Sequence, residues 1–235
     1  MAVIGGPDIV VTDGLVLCID PANLRSYQSG STDTFSLVPC TTTGSLKNNV
    51  SFLDSNSGVF NFDGSDDIIT FGSNSALQIG GDLTIDIWFY PENLTPAGGI
   101  LHYGLSGESI GTNAVYYLDK LLGSNDMRYV HEYDSGTNQL ITFDTNFTLN
   151  QWQHIIVTRD ASAKTVKCFI DAVETSNSLT YTTAPAGGDD GNFVLGQDFN
   201  GSTIDARFSS IKIYNKTFTV SEVTQNYNAL KDRFQ

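Results

Sequence analysis

Residues 83–90 read Leu83-Thr84-Ile85-Asp86-Ile87-Trp88-Phe89-Tyr90, and Pro91 follows. The pattern has period two. Successive side chains of a strand point to opposite faces, so Leu83, Ile85, Ile87 and Phe89 share one face. Thr84, Asp86, Trp88 and Tyr90 share the other. The first set reads as core and the second as a half-exposed outer face, the arrangement of an antiparallel sheet wetted on one side. Pro91 has no N–H for the ladder and closes the strand.

The same rhythm extends in both directions. Gly14–Asp20, Gly58–Phe62, Ile100–Tyr103, Val115–Leu118, Met127–Tyr133, Gln139–Phe143, Phe193–Leu195 and Phe208–Tyr214 are short β-branched or aromatic runs separated by turn residues. Trp152–Arg159 and Thr165–Ile170 read as one long hairpin around Asp160-Ala161-Ser162-Ala163. Asp63-Gly64-Ser65-Asp66 reads as a second hairpin turn, with Asp67–Phe71 as the return strand, because Gly accepts the positive φ of a tight turn. Many short strands punctuated at this interval predict an all-β protein, an antiparallel two-sheet jelly-roll sandwich.

One segment breaks the period. Thr219-Val220-Ser221-Glu222 matches a capping box, and Val223, Tyr227, Leu230 and Phe234 then recur at helical spacing. A C-terminal helix over about 220–232 is expected to dock on the sandwich. No internal repeat or linker divides the chain. The expected organisation is one domain over 13–235, preceded by an N-terminal arm over 1–12.

Composition narrows the function. The 235 residues hold 12 basic and 26 acidic side chains, a net charge of −14. Non-specific binding to nucleic acid needs a Lys/Arg surface, so that class is disfavoured, as is an anionic membrane surface. No apolar run approaches the roughly 20 residues of a membrane span, and the first residues lack the pattern of a signal peptide. Cys18 and Cys168 sit in apolar strand patterns and read as buried free thiols; a Cys18–Cys40 disulfide is the alternative.

Five stretches, taken together, resemble successive strands of laminin-G-like, concanavalin A-like jelly-roll domains. They are FNFDGSDDIITF (60–71), LTIDIWFYP (83–91), WQHIIVTRD (152–160), KTVKCFIDA (164–172) and FSSIKIYNKTFTVSEV (208–223). DGLVLCIDPANLRSY (13–27) and EVTQNYNALKDRF (222–234) further resemble the stand-alone laminin-G-like structural proteins of tailed bacteriophages. That resemblance implies a virion component, a capsid decoration or fibre-tip module, assembled in the host cytoplasm and displayed outside. Its implied partners are capsid, neck or tail proteins, with the arm adding a strand to a partner's sheet. Host-surface glycans are a further implied partner. The family usually places Asp-Gly at the tip after KTVKCFI; here Ala172 replaces the Gly, and a different turn is expected.

No catalytic constellation is complete. His131-Glu132-Tyr133-Asp134 begins the carboxylate motif of jelly-roll glycoside hydrolases, but the second glutamate does not follow. No G-x-S-x-G elbow occurs, and His102, His131 and His154 fall in separate strands. No enzymatic activity is expected and no cofactor is required. Two binding candidates remain. Asp63, Asp66 and Asp67 crowd hard oxygen ligands of the kind Ca²⁺ takes, against the plainer reading of a self-bonded turn. Asp189 and Asp190 form a weaker second acidic group. Tyr117, Tyr129 and Tyr133, beside Tyr116, lie in mid-chain strands that could stack on sugar rings, against the plainer reading of packing residues.

Overall fold

The computed structural model describes residues 9–38, 42–104, 115–134, 137–186, 191–198 and 200–235. The strands in chain order begin with β1 (Leu15–Ile19), β2 (Asp33–Phe35), β3 (Thr43–Lys47), β4 (Ser51–Leu53), β5 (Val59–Asp63) and β6 (Ile68–Thr70). The middle of the chain adds β7 (Leu83–Pro91), β8 (Gly98–Gly104), β9 (Tyr116–Lys120), β10 (Met127–Asp134) and β11 (Thr137–Phe143). The last set is β12 (Gln153–Asp160), β13 (Thr165–Ile170), β14 (Val173–Glu174), β15 (Leu179–Thr180), β16 (Asn192–Leu195) and β17 (Asp205–Tyr214), then α1 (Val220–Phe234).

These strands form two antiparallel sheets. The first runs β14-β13-β12-β7-β17-β5-β4, with β1 also on β17 and β15 on β13. The second runs β11-β10-β9-β8-β16-β6-β3-β2. The main core lies between them and includes Leu83, Ile85, Ile87 and Phe89 from β7, Ile155 and Val157 from β12, and Leu101, Tyr116, Leu118 and Tyr129 from the facing sheet. The jelly-roll sandwich is therefore as expected, with the helix on the outside of the first sheet. Among the described residues no helix is long and apolar enough to cross a membrane.

Several local expectations change. Asp63-Gly64-Ser65-Asp66 is not a hairpin: β5 pairs with β17 and β4 in the first sheet, whereas β6 pairs with β16 and β3 in the second. The turn carries the chain across the sandwich. Strand β17 does not keep one parity either. Ala206 and Phe208 face the core, then Ile211 and Ile213 do, because a bulge between Ser209 and Lys212 inserts an extra residue. Ser210 absorbs the bulge at φ 48°. At the tip after β13 the expected change of turn does not occur. Asp171 and Ala172 adopt φ 51° and 65°, the two positive values of a type I′ hairpin. Asp171 is anchored by the N–H of His154, which donates to its Oδ1 at 2.9 Å.

The largest correction concerns the outer face of β7. Thr84, Asp86 and Trp88 are buried rather than half-exposed. Helix α1 covers them: its Phe234 ring stacks on Trp88 with centroids 4.3 Å apart, and Tyr227 stacks on the same indole at 5.9 Å. The capping box is formed, with the Glu222 N–H donating to Thr219 Oγ1 and the Thr219 N–H donating to the Glu222 carboxylate. Residues 9–12, the end of the expected arm, run against the helix. The Val11 N–H donates to Asn226 Oδ1 at 2.7 Å, and the Tyr214 hydroxyl donates to the Val11 carbonyl at 3.1 Å.

A charged group sits inside this layer. Asp86 Oδ1 accepts from Lys212 Nζ at 3.2 Å and lies 3.1 Å from His154 Nε2, while Oδ2 accepts from Asn226 Nδ2 at 2.6 Å. Burial opposes the charge on Asp86, but Lys212, His154 and Asn226 outweigh it and hold the carboxyl well below the usual range. Cys18 and Cys168 are buried free thiols; Cys40 lies outside the described residues, as do residues 1–8 of the arm.

Candidate functional site

The second sheet also has an outer face, and it is built by register. His102 on β8 stands opposite Tyr117 on β9, which stands opposite Val130 on β10. One row on, Asp119 of β9 stands opposite Arg128 of β10. Their neighbours in sequence, Leu101, Tyr116, Leu118 and Tyr129, fill the main core, so this set points the other way. Glu132 continues the same side of β10.

The chemistry of this face is polar and tightly held. Asp119 accepts from Arg128 Nε at 3.0 Å and from Nη2 at 2.5 Å, a two-pronged carboxylate–guanidinium pair. The same guanidinium carbon lies 5.7 Å from the Tyr117 ring centroid. His102 Nδ1 is 2.9 Å from the Gln197 carbonyl, which makes it the protonated nitrogen; Nε2 is buried and has no partner among the described residues. Burial lowers the His102 pKa, so the imidazole is neutral and Nε2 is an acceptor. Burial also lifts Asp119 above the usual carboxylate range even though Arg128 opposes it. The loop carrying Gln197 and Asp198 approaches so closely that a Cβ at Gly99 would overlap the backbone of Asp198, which only glycine at 99 permits. A fixed ion pair, an aromatic ring and a neutral imidazole thus meet on one face of the sheet, and His102, Tyr117 and Asp119 are all buried there.

The predicted tyrosines are not brought together. Tyr117 lies on this face but is 1% exposed. Tyr129 turns into the core, which corrects its assignment to a sugar-stacking surface. Its hydroxyl accepts from Arg159 Nη1 at 3.0 Å and lies 3.2 Å from His131 Nδ1. Tyr133 is half-buried beside the bulge that separates Glu132 from Asp134 in the β10–β11 pairing. The physical reason is parity: odd positions of β10 face the core, and Tyr117 neighbours the even ones. Sequence reading missed Asp119 and Arg128 and gave His102 no partner, because their one signal was that same alternation across three strands.

The acidic turn fares differently. Asp63, Asp66 and Asp67 each place a carboxylate oxygen within 4.8 Å of the others. Gly64 shapes the turn at φ 76°. Asp189 and Asp190 lie outside the described residues.

Residues 63–224, more than half of the chain, match the family described as the concanavalin A-like lectin/glucanases superfamily (Laminin_G_3). No curated protein matches the sequence. Among solved structures, the binding domain of Paraclostridial Mosquitocidal Protein 1 aligns at TM-score 0.69 and 15% identity, covering 92% of this chain and 52% of that one. The botulinum neurotoxin serotype D binding domain aligns at TM-score 0.70 and 13% identity, covering 92% and 51%. Trypanosoma rangeli sialidase aligns at TM-score 0.67 and 14% identity, covering 95% and 34%. The chain thus spans about half of each toxin binding domain and about a third of the sialidase. At these identities the likeness shows the fold alone.

Proposed function

We infer the function from one premise: the chain belongs to the concanavalin A-like lectin/glucanases superfamily. We propose that it is a non-enzymatic recognition module and that its setting is the virion of a tailed bacteriophage, as a capsid decoration or fibre-tip protein. It docks on capsid, neck or tail proteins, and its exposed edges contact host-surface glycans.

The observation that carries this reading is how the two ends of the chain join. The segments that resemble phage structural proteins, residues 13–27 and 222–234, fold into one unit. Arg233 pairs with Asp20 at 2.8 Å, and the same guanidinium donates to the carbonyls of Asn56 at 2.7 Å and Gly58 at 2.8 Å. A resemblance split across some two hundred residues therefore describes one contiguous surface. Leu24 of that unit is 76% exposed, and with Arg25 and the neighbouring Gln28, Ser31 and Phe35 (49% exposed) it borders an open groove of ≈ 470 Å³. Exposed large apolar side chains beside a groove suit a protein partner.

Mass spectrometry of purified particles tests the assembly role. Peptides of this chain in fixed proportion to the capsid protein support it, and particles lacking them overturn it. A second reading, a free lectin, draws on one neighbour, the botulinum neurotoxin DC binding domain, which is solved in complex with SialylT. A glycan array separates the two: saturable, sugar-competed binding by a chain absent from particles selects the lectin.

A further inference from the structure

The groove bordered by Leu24 and Phe35 carries a cation that the molecule leaves unanswered. Arg25 is exposed, and its guanidinium meets no acid, carbonyl or ring among the described residues. Apart from Lys47, every other basic side chain meets one. In a chain of net charge −14 acids surround almost any cation, so a free one is the exception. Asp20, the acid nearest in sequence, is taken by Arg233 at 2.8 Å. Asp33, on the strand that carries Phe35, accepts from Ser45 Oγ at 2.9 Å and from Thr32 Oγ1 at 3.3 Å.

The apolar side chain next to it is held out by a fixed frame. The Asn23 carbonyl accepts the N–H groups of Ser26 at 2.7 Å and Tyr27 at 2.9 Å, and the Arg25 N–H donates to Asn23 Oδ1 at 3.0 Å. Tyr27 is buried against Phe52 and Phe60, with ring centroids 5.3 and 4.9 Å away. Its hydroxyl donates to the Ser31 carbonyl at 3.1 Å. Leu24 lies inside this bonded turn, so the backbone itself directs it into solvent. A backbone ordered before binding loses less entropy when a partner arrives.

What is already satisfied decides how a partner is read. Strand β2 ends the second sheet, yet its outer backbone is occupied. The Phe35 N–H donates to the Ser26 carbonyl at 2.7 Å, Ser26 Oγ donates to the Phe35 carbonyl at 2.8 Å, and Ser31 Oγ donates to the Asp33 carbonyl at 2.8 Å. An added strand finds no free ladder here, so side chains carry the contact. Exposed Leu24 and Phe35 call for an apolar side chain, which a sugar does not offer. A second copy of this chain fits poorly: no carboxylate lines the groove, so two copies meeting groove to groove leave both guanidiniums unanswered.

We propose, building on the docking role above, that this groove takes a segment of a partner protein presenting an acidic side chain beside an apolar one. The carboxylate meets the planar fork of Arg25, which suits two parallel hydrogen bonds. The apolar side chain covers Leu24 and Phe35, while Gln28 and Ser31 offer polar contacts at the border. The acidic surface elsewhere repels such a segment, so the lone guanidinium fixes where it lands as well as how tightly it holds.

The test titrates the full chain with synthetic peptides, Glu-Leu-Phe in a Gly/Ser background and its Gln-Leu-Phe and Lys-Leu-Phe counterparts, followed by amide NMR. Glu-Leu-Phe is expected to shift amides of residues 22–35, and Gln-Leu-Phe to bind about tenfold more weakly. Arg25→Glu should lose Glu-Leu-Phe by a similar factor and take Lys-Leu-Phe instead. Leu24 and Arg25 are both exposed, so Arg25→Glu and Leu24→Ser should melt with the wild type. Leu24→Ser should weaken every peptide and keep the preference for the acidic one. Shifts absent from residues 22–35, or an Arg25→Glu chain that binds Glu-Leu-Phe as tightly as wild type, overturn the site. Should Arg25→Glu fail to fold, Arg25→Gln gives the same reading through equal binding of the Glu and Gln peptides. Particles provide the separate check on assembly. Wild type and Arg25→Glu incorporated in equal proportion overturn this groove alone, whereas particles lacking the wild-type chain overturn the docking role itself.

Discussion

The outer faces of the two sheets both bury an aspartate, and the two carboxylates respond in opposite directions. Asp86, on the first sheet, meets Lys212, His154 and Asn226 and is held well below the usual carboxylate range. Asp119, on the second, is paired among the described residues with Arg128, whose side chain is 24% exposed, and burial, with the Asp198 charge adding to it, lifts it above that range. The first carboxylate has its charge matched from β17, β12 and α1 at once, so the network closes a layer of structure. The second has one cation shared with the Tyr117 ring, and beside it His102 Nε2 stands without a partner among the described residues. On the first face too, His154 Nδ1 and Trp88 Nε1 are buried without a partner among the described residues, so what separates the two faces is how many groups answer the carboxylate. The helix-covered face is therefore a lock, its carboxylate held by three separate elements at once.

Removing the lock should have the largest effect. Asp86→Ala strands Lys212 and His154 in a water-free layer and leaves Asn226 without its acceptor, which is expected to cost about 3–5 kcal/mol in urea unfolding. Asp119→Ala leaves a guanidinium that can turn toward water, and about 1 kcal/mol is expected. Equal losses, or the reverse order, would break the contrast between the two faces.

Acid sharpens the same contrast by separating the two sheets in pH. Below the Tyr129 hydroxyl, His131 on β10 is fully buried, with Nε2 3.0 Å from the Thr183 carbonyl. Arg159 donates to Tyr129, Tyr129 donates to His131 Nδ1, and His131 donates to Thr183, a chain that holds only for a neutral imidazole. Burial, with the Arg159 charge also opposing protonation, lowers the His131 pKa to about 4. Between the ordinary value near 6.5 and 4 the unfolded chain binds a proton that the folded chain refuses, so stability falls as pH drops through that window, by at most about 3 kcal/mol. Asp86 behaves otherwise. Its folded pKa is depressed, so its contribution is complete above about pH 4 and is lost only below. Unfolding midpoints measured from pH 7 to 2 should show the first window whole and the onset of the second, and His131→Gln should flatten the first alone. A His131→Gln profile unchanged between pH 6.5 and 4 would remove the histidine from the account.

These two faces also divide what was legible in the sequence. The inner set Leu83, Ile85, Ile87 and Phe89 was readable because period two needs only neighbours along the chain, and so was the capping box at Thr219. The burial of Thr84, Asp86 and Trp88 was not, because what covers them arrives with residues 220–234 and no local pattern announces it. The crossing at Asp63–Asp67 hid for a related reason: a turn that leaves its sheet carries the same Asp-Gly text as one that stays. The convergence of Asp63, Asp66 and Asp67 was visible because the three lie within five residues. Asp119 with Arg128 was not, because cross-strand partners depend on register, and the bulge at Ser209–Lys212 shows how one inserted residue changes parity.

The smallest effect lies at the tip that joins β13 to β14, on the margin of the locked face. Ala172 sits at φ 65° and packs against the apolar cluster of Val11, Phe169, Tyr214 and Val223 under the helix. An L-residue there carries a left-handed penalty of about 1–2 kcal/mol, which glycine avoids. Against that, Ala172→Gly gives up the burial of one methyl, about 0.8 kcal/mol if complete, and frees the unfolded chain. The methyl is only half-buried, so the backbone term should win narrowly. A gain of about 0.5 kcal/mol, read as a rise of one or two degrees in melting temperature, is expected. A loss of that size would mean that the methyl contact with the helix-side cluster outweighs the turn, and that the lock extends to the hairpin tip.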